Sequence, residues 1–248
     1  MLRDTSTLTG RLMKQILRSP DTIITVAITP IAIFLLFRYV FGGAIETGGA
    51  NYTNYLLPGI LLITIASSVA YTALRIFNDT SKGITARLGT MPISRSAVLW
   101  SHVLTSLVSN AVTAVLVVGI AFAMGFRPEA SVLDWLAALG VLTLFTLALT
   151  WMSVIPGLTA TTMEGAGAFS YPLIFLPFLS SAFAPTESMP GPVRWFAENQ
   201  PVTSVVETLR ALFEGRPAGD EIWVALAWIA GVGGLCYVLA LRTYRRKV

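Results

Sequence analysis

Charge is what this sequence has least of. Only 12% of its 248 residues are Asp, Glu, Lys or Arg, roughly half the share of an ordinary soluble domain. With 54% of residues apolar and a mean hydropathy of +0.71, a water-soluble monomer of this length would have too little charge to cover its surface. Lipid is therefore the expected solvent. The same numbers exclude a disordered chain, which is polar and charge-rich. A single cysteine, Cys236, excludes a disulfide framework and a cysteine cage for a metal. A single histidine, His102, leaves no His-Glu-x-x-His and no paired His/Cys spacing. There is no Walker A pattern, so this chain does not hydrolyse ATP by that route. An intramembrane lipid transferase or protease would need clustered acids with a metal, or an activated nucleophile, and the apolar segments offer neither. No acid falls near the centre of an apolar segment, which argues against an ion-coupled pump.

What the sequence does have is six apolar blocks, at 23–41, 56–77, 97–124, 132–155, 166–184 and 222–241. Each is close to the roughly 20 residues a helix needs to cross hydrocarbon. Turn chemistry separates them, as at Phe41-Gly42-Gly43, Phe126-Arg127-Pro128, Ile155-Pro156-Gly157 and Gly215-Arg216-Pro217. The expected fold class is an all-α polytopic membrane protein of six spans, one transmembrane domain over 1–248. About twenty residues with several cations precede the first block and no small-residue cleavage site follows it, so it reads as a retained span.

With six spans both termini share a side. That side carries eleven Lys and Arg near span ends, against five on the other. The positive-inside rule makes it cytoplasmic. The net charge of +4 thus reads as an inner membrane surface rather than a nucleic-acid footprint. Arg38 and Arg75 lie near span ends and are expected to snorkel. Pro30, Pro172 and Pro177 interrupt spans, as proline does in moving and static bundles alike. His102 and Cys236 read as a satisfied histidine and a small packing residue.

Three segments outside the blocks carry pattern. Residues 1–21 form an amphipathic helix, with Leu8, Leu12 and Ile16 as its stripe and Arg11, Lys14 and Arg18 opposite. It should lie in the inner interface, either as an anchor or as a lever to a cytoplasmic partner. The 78–96 loop suits a short helix from an Asp79 or Ser81 cap to Leu88, stopped by Gly89. Its apolar tip Met91-Pro92-Ile93, between cations, suits docking into a partner groove or a simple solvated loop. The outer segment 185–221 holds an amphipathic helix at 205–214, with Val205, Val206, Leu209, Leu212 and Phe213 on one face and Glu207, Arg210 and Glu214 on the other. Ser204 and Glu207 have capping-box spacing. Such a segment would lie on lipid, re-enter the bundle or cover the exit of a path.

Four stretches then point to a family. They are Asn51-Tyr52 through Tyr55-Leu56-Leu57-Pro58-Gly59-Ile60; Asp79-x-x-x-Gly83-Ile84-x-x-Arg87 with Met91-Pro92-Ile93-Ser94-Arg95; Phe178-Leu179-Ser180-Ser181-Ala182-Phe183 through Pro185 to Met189-Pro190; and Phe196-Ala197-Glu198-Asn199-Gln200-Pro201-Val202-Thr203, then Glu207-x-x-Arg210 and Gly215. In this order and spacing the chain resembles the membrane permease subunit of type-2 ABC exporters, most closely the daunorubicin-resistance-type drug permeases. It departs from that pattern at Gly89-Thr90-Met91, where a bulkier residue, a serine and a leucine are common, and at Ser101-His102, where Gly-Arg is common.

The resemblance implies six spans per subunit, a second permease copy or paralogue, and two separate ATPase subunits that carry the ATP and Mg. It implies no cofactor or catalytic site on this chain and no nucleic-acid partner. It makes Asp79, Lys82, Gly83, Arg87, Met91, Pro92, Ile93 and Arg95 the coupling element to the ATPase, alongside the N-terminal helix. It also places short outer helices in the segment bearing Pro185, Pro190, Phe196, Pro201, Glu207, Leu209 and Arg210. The implied cargo is an amphipathic drug-like or lipid-like molecule, with a lipid-linked glycan or other lipid as the alternative. A non-transporting membrane scaffold is the remaining class.

Overall fold

The computed structural model describes residues 2–18, 20–42, 51–90 and 95–247. Among these there are helices and turns and no strand. Helix α1 is Leu2–Leu17, and α2 is Pro20–Leu36, continued by a π-turn at Phe37–Phe41. Then come α3 (Tyr52–Ser81), the short α4 (Ile84–Gly89), α5 (Arg95–Ala123) and α6 (Val132–Thr159). Two short helices follow, α7 (Met163–Ala168) and α8 (Ser170–Phe175), with a 3-10 turn at Leu176–Leu179. The chain closes with α9 (Gly191–Asn199), α10 (Pro201–Phe213) and α11 (Glu221–Lys247). Among the described residues four helices, α3, α5, α6 and α11, are long and apolar enough to cross a membrane, and Ala27–Phe41 is a shorter apolar helix.

Local chemistry sets several of these boundaries. Asn51 caps α3 by accepting from the Thr53 N–H. Ser131 and Asp134 form a reciprocal capping box at the start of α6. Between α5 and α6, Gly125 adopts φ 91 and the Phe126 N–H turns back to the Ala121 carbonyl, so the third and fourth blocks separate cleanly.

Helix α3 is the centre of the bundle: Leu56, Leu57, Ile60, Leu61 and Ile63 are fully buried against α2, α5, α6 and α10. The helices around it keep one apolar face outward, with Val115 71%, Leu136 59% and Leu235 62% exposed. That one-sided burial is what lipid contact requires, since no hydrophobic force drives such a face inward.

The fifth apolar block is not one helix. It runs beside α3 from the Leu74 level, where Gly167 packs, to the Tyr52 level, where the Tyr52 hydroxyl donates to the Phe183 carbonyl. It does so as α7, α8 and a 3-10 turn. Pro172 and Pro177 each lack the N–H that a continuous ladder needs. The Ser180 hydroxyl donates to the Pro177 carbonyl and accepts from the Ala182 N–H, closing the last turn without a helix.

Candidate functional site

Two polar constructions stand at opposite ends of the bundle. At the end shared by α1 and the far ends of α3, α6 and α11, α3 extends through Ser81. Asp79 therefore lies within the last turn of α3 rather than capping the next helix, contrary to the sequence expectation. The reason is side-chain competition: Arg11 Nη2 donates to Asp79 Oδ2 at 2.7 Å, and the carboxylate is turned inward. The break comes from Gly83, at φ 68, which serves as the N-cap of α4.

His102 Nε2 stands 3.6 Å from the same Asp79 oxygen, beyond hydrogen-bond range, and its ring is buried. Arg75 does not reach outward as expected; its Nη2 donates to Thr72 Oγ1 at 2.8 Å. From there a polar chain crosses the bundle. Thr72 Oγ1 donates to Ser106 Oγ at 3.1 Å, and Ser106 Oγ lies 3.2 Å from Thr150 Oγ1. These hydroxyls link α3, α5 and α6.

Helix α1 is amphipathic as expected, but its stripe meets protein. Leu12 and Ile16 are buried, Leu8 is half-buried, and α1 packs on α5. Lys14 and Arg18 are exposed. Arg11 is 41% exposed in its side chain yet paired with Asp79. Of the residues expected to couple to a partner, Lys82 and Arg87 face outward, Gly83 forms the turn and Asp79 faces inward. The tip Met91-Pro92-Ile93 and the side chain of Arg95 lie outside the described residues.

Because Arg11 is substantially exposed, its pair with Asp79 should contribute only about 1 kcal/mol. Arg11→Asp is expected to loosen α1, raising the rate of thiol labelling at a cysteine placed at Thr5, which is 7% exposed, in a Cys236→Ser background. Arg11→Asp with Asp79→Arg is expected to restore protection. Equal labelling in all three proteins would show that the apolar contacts of Leu12 and Ile16 alone hold the helix.

At the other end, α9 and α10 form a cap folded into the bundle. The sequence left three placements open for this segment; α10 packs against α3, α6 and α11. It starts at Pro201, four residues before the expected start, with Gln200 as N-cap and proline in the first turn. Ser204 is thus inside the helix, where its carbonyl accepts from Thr208 Oγ1. Val205, Val206 and Leu209 are fully buried.

Arg210, expected on an outward polar face, is only 5% exposed. Its Nη2 donates to the Ser181 carbonyl at 2.7 Å, its Nη1 to Glu207 Oε1 at 2.5 Å, and its guanidinium carbon lies 3.7 Å from the Tyr55 ring centroid. The Tyr55 hydroxyl donates to the same Ser181 carbonyl at 2.8 Å. One cation thereby ties α10 to α3 and to the interrupted fifth block. Gln200 Nε2 adds a bond to the Leu179 carbonyl.

Pro185 and Pro190 precede the short helices of this segment, and Phe196 is 41% exposed on α9. On α9, Arg194 pairs with Glu198 at 2.7 Å, which holds its guanidinium pKa above the ordinary value. Asn51 and Asn54, at the start of α3, hold the α5–α6 turn by donating to the Gly125 and Arg127 carbonyls. Asn51, Tyr55, Ser181 and Gln200 stand in the stretches that carry the resemblance and Asn54 does not, but no local pattern shows what any of them binds, because each acts across 21 or more residues.

The described residues thus form an apolar helical bundle with spanning-length helices and a folded cap at one end. Residues 3–213 match the ABC-2 type transporter family, and the chain belongs to that family. It is 27% identical over 232 residues to the daunorubicin resistance ABC transporter permease protein DrrB1 of Streptomyces coeruleorubidus, covering 92% of this chain and 81% of that protein. It is 26% identical over 240 residues to the probable doxorubicin resistance ABC transporter permease protein DrrC of Mycobacterium tuberculosis, covering 96% and 87%. It is 27% identical over 236 residues to the putative transport permease ycf38 of Porphyra purpurea, covering 92% and 80%. The chain is thus a multi-pass membrane permease of the ABC-2 type, and ATP hydrolysis belongs to a partner subunit.

Proposed function

We propose that this chain is the membrane subunit of an ATP-driven exporter of amphipathic, drug-like molecules. The observation that carries the reading is similarity over more than nine-tenths of the chain to permeases named for daunorubicin and doxorubicin resistance. In this reading Ala27–Phe41 and the interrupted block at 163–183 complete six crossings, and both termini are cytoplasmic. Two permease copies, or this chain and a paralogue, sit on two ATPase subunits. ATPase closure pushes the 78–96 loop and α1, and the bundle shifts between two packings. Lys82 and Arg87, exposed within that loop, suit acids on the rim of a partner groove.

The test is ATP hydrolysis by the partner ATPase in nanodiscs, with and without this permease and daunorubicin. Drug is expected to stimulate hydrolysis only when the permease is present. Ile93→Asp is expected to abolish both ATPase capture and stimulation, because it loses about 1.5–3 kcal/mol of burial and places a charge in the groove. Arg87→Glu is expected to weaken capture less, with a loss that shrinks at high salt. No stimulation by daunorubicin with intact capture would overturn the cargo; full capture by Ile93→Asp would overturn the docking loop.

A further inference from the structure

Helix α11 keeps one face outward along its whole length. On that face Trp228, Leu235, Val238 and Leu239 are exposed, whereas Ile229, Cys236, Ala240 and Tyr244 are buried. With 3.6 residues per turn the four exposed residues fall on one stripe. The stripe does not stop where the apolar residues do. Arg242, Arg245 and Arg246 continue it, and all three are exposed. Tyr244, on the other side of the same turns, is buried in a cluster with Val98 and Leu99 of α5, so the arginine face is turned away from the protein. None of the three arginines has an acidic partner among the described residues.

Depth decides what this face meets. At the other end of α11 stands Trp223, 70% exposed, a residue type that marks the border of the hydrocarbon. Arg242 comes 19 residues later, roughly 28 Å at 1.5 Å per residue, against a hydrocarbon core of about 30 Å. The arginines therefore lie just beyond the hydrocarbon, in the layer of the headgroups. There three guanidiniums at i, i+3 and i+4 repel one another, and each presents a fork suited to phosphate oxygens. An anionic headgroup relieves that repulsion, whereas a zwitterionic one brings a cation of its own. A second copy of α11 would set arginine against arginine. The attraction of cations to a helix C-terminus accounts for basic residues on any side of the last turns, but not for three on the lipid-facing stripe.

We propose that this end of α11 is a binding site for a phospholipid of net negative charge. Its phosphate is held by Arg242, Arg245 and Arg246, and its acyl chains lie along Leu235, Val238 and Leu239. The site follows from the placement of α11 in the membrane and does not depend on what the protein exports. A lipid held there fixes the depth of α11 and of the Tyr244 cluster beside it.

The experiment is native mass spectrometry of the full chain in dodecyl maltoside with equimolar phosphatidylglycerol and phosphatidylcholine of resolvable mass. The readout is the ratio of the two lipids retained. Phosphatidylglycerol is expected to be preferred by about tenfold or more, each arginine contributing about fivefold. Arg245→Gln is expected to lower the preference about fivefold, and glutamine at all three positions to remove it. Arg127→Gln with Arg194→Gln and Arg216→Gln removes the same charge from exposed positions at the capped end and is expected to leave the preference intact. Excess inorganic phosphate is expected not to displace the lipid, because it has no chains to lie on the apolar stripe. Equal retention of the two lipids by the unaltered protein would overturn the proposal, and that comparison needs no variant to fold. So would a preference that survives the triple change at α11, or one lost equally in the capped-end variant. Displacement by phosphate would show a bare anion site and not a lipid site. A dimer of the chain carrying neither lipid would give the face to a second copy, and either result overturns the proposal.

Discussion

Replacing Arg210 by alanine is expected to lower the stability of the bundle by about 3 kcal/mol and to release the cap from α3. The guanidinium is 5% exposed and makes a 2.7 Å bond to the Ser181 carbonyl. Charge-assisted bonds of this kind contribute about 1.5–3 kcal/mol each, and a cation over a desolvated aromatic face adds up to about 2. Two facts reduce the sum. Glu207, left behind, is 35% exposed in its side chain and can rehydrate, and the Ser181 carbonyl keeps the Tyr55 hydroxyl. Arg210→Lys is expected to fall between, because a lysine keeps the charge but cannot reach Glu207 and Ser181 together with a planar fork. Thermal unfolding in nanodiscs measures the order. Arg210→Met with Tyr55→Leu should lose less than the sum of the two single changes, since both act on one carbonyl. A wild-type melting temperature for Arg210→Ala would refute this account of the cap.

That residue also marks where sequence reasoning stops. The helical wheel places Arg210 with Glu207 on one face of α10, and the structure keeps them there, joined at 2.5 Å. The wheel holds no information about what the face meets, and here it meets Tyr55, 155 positions away. The start of α6 agrees with the block start at 132 that hydropathy gave, although the local signal that fixes it, Ser131 and Asp134 three residues apart and bonded to each other, was not the one read. The break between α5 and α6 was read from the turn residues Phe126-Arg127-Pro128, which are local too.

The fifth block was counted as a span with Pro172 and Pro177 interrupting it, but how far they break it up was not legible, because hydropathy counts apolar side chains and not backbone donors. Pro172 and Pro177 each remove one. Asp79 looked like a cap from its position after an apolar run. Its partner, Arg11, is 68 residues upstream, and only the docking of α1 brings it there. The apolar stripe of α1 was legible in the sequence, but its ligand, α5 rather than lipid, was not, because both present the same apolar chemistry.

Two alanine substitutions in α6 are expected to have opposite signs. A Cβ on Gly157 would stand 2.9 Å from the Ala73 carbonyl oxygen and 2.9 Å from Ile76 Cβ. Neither neighbour can yield: one is backbone of α3, and the other is the branch point of a stiff side chain. Gly157→Ala must therefore push α6 away from α3 at this contact, at a cost of about 1–3 kcal/mol. Close approach of this kind is the usual work of small residues between membrane helices. Gly140, five turns nearer the start of the same helix by roughly 3.6 residues per turn, has nothing within 4 Å of an added Cβ. Gly140→Ala gains helix propensity without a clash and is expected to stabilise by about 0.5–1 kcal/mol. Melting temperatures of the two variants in the same nanodiscs decide the matter. If both rise, α3 and α6 are not in contact at Gly157; if both fall, Gly140 meets a neighbour, and the outward face of α6 is an interface with another subunit rather than lipid.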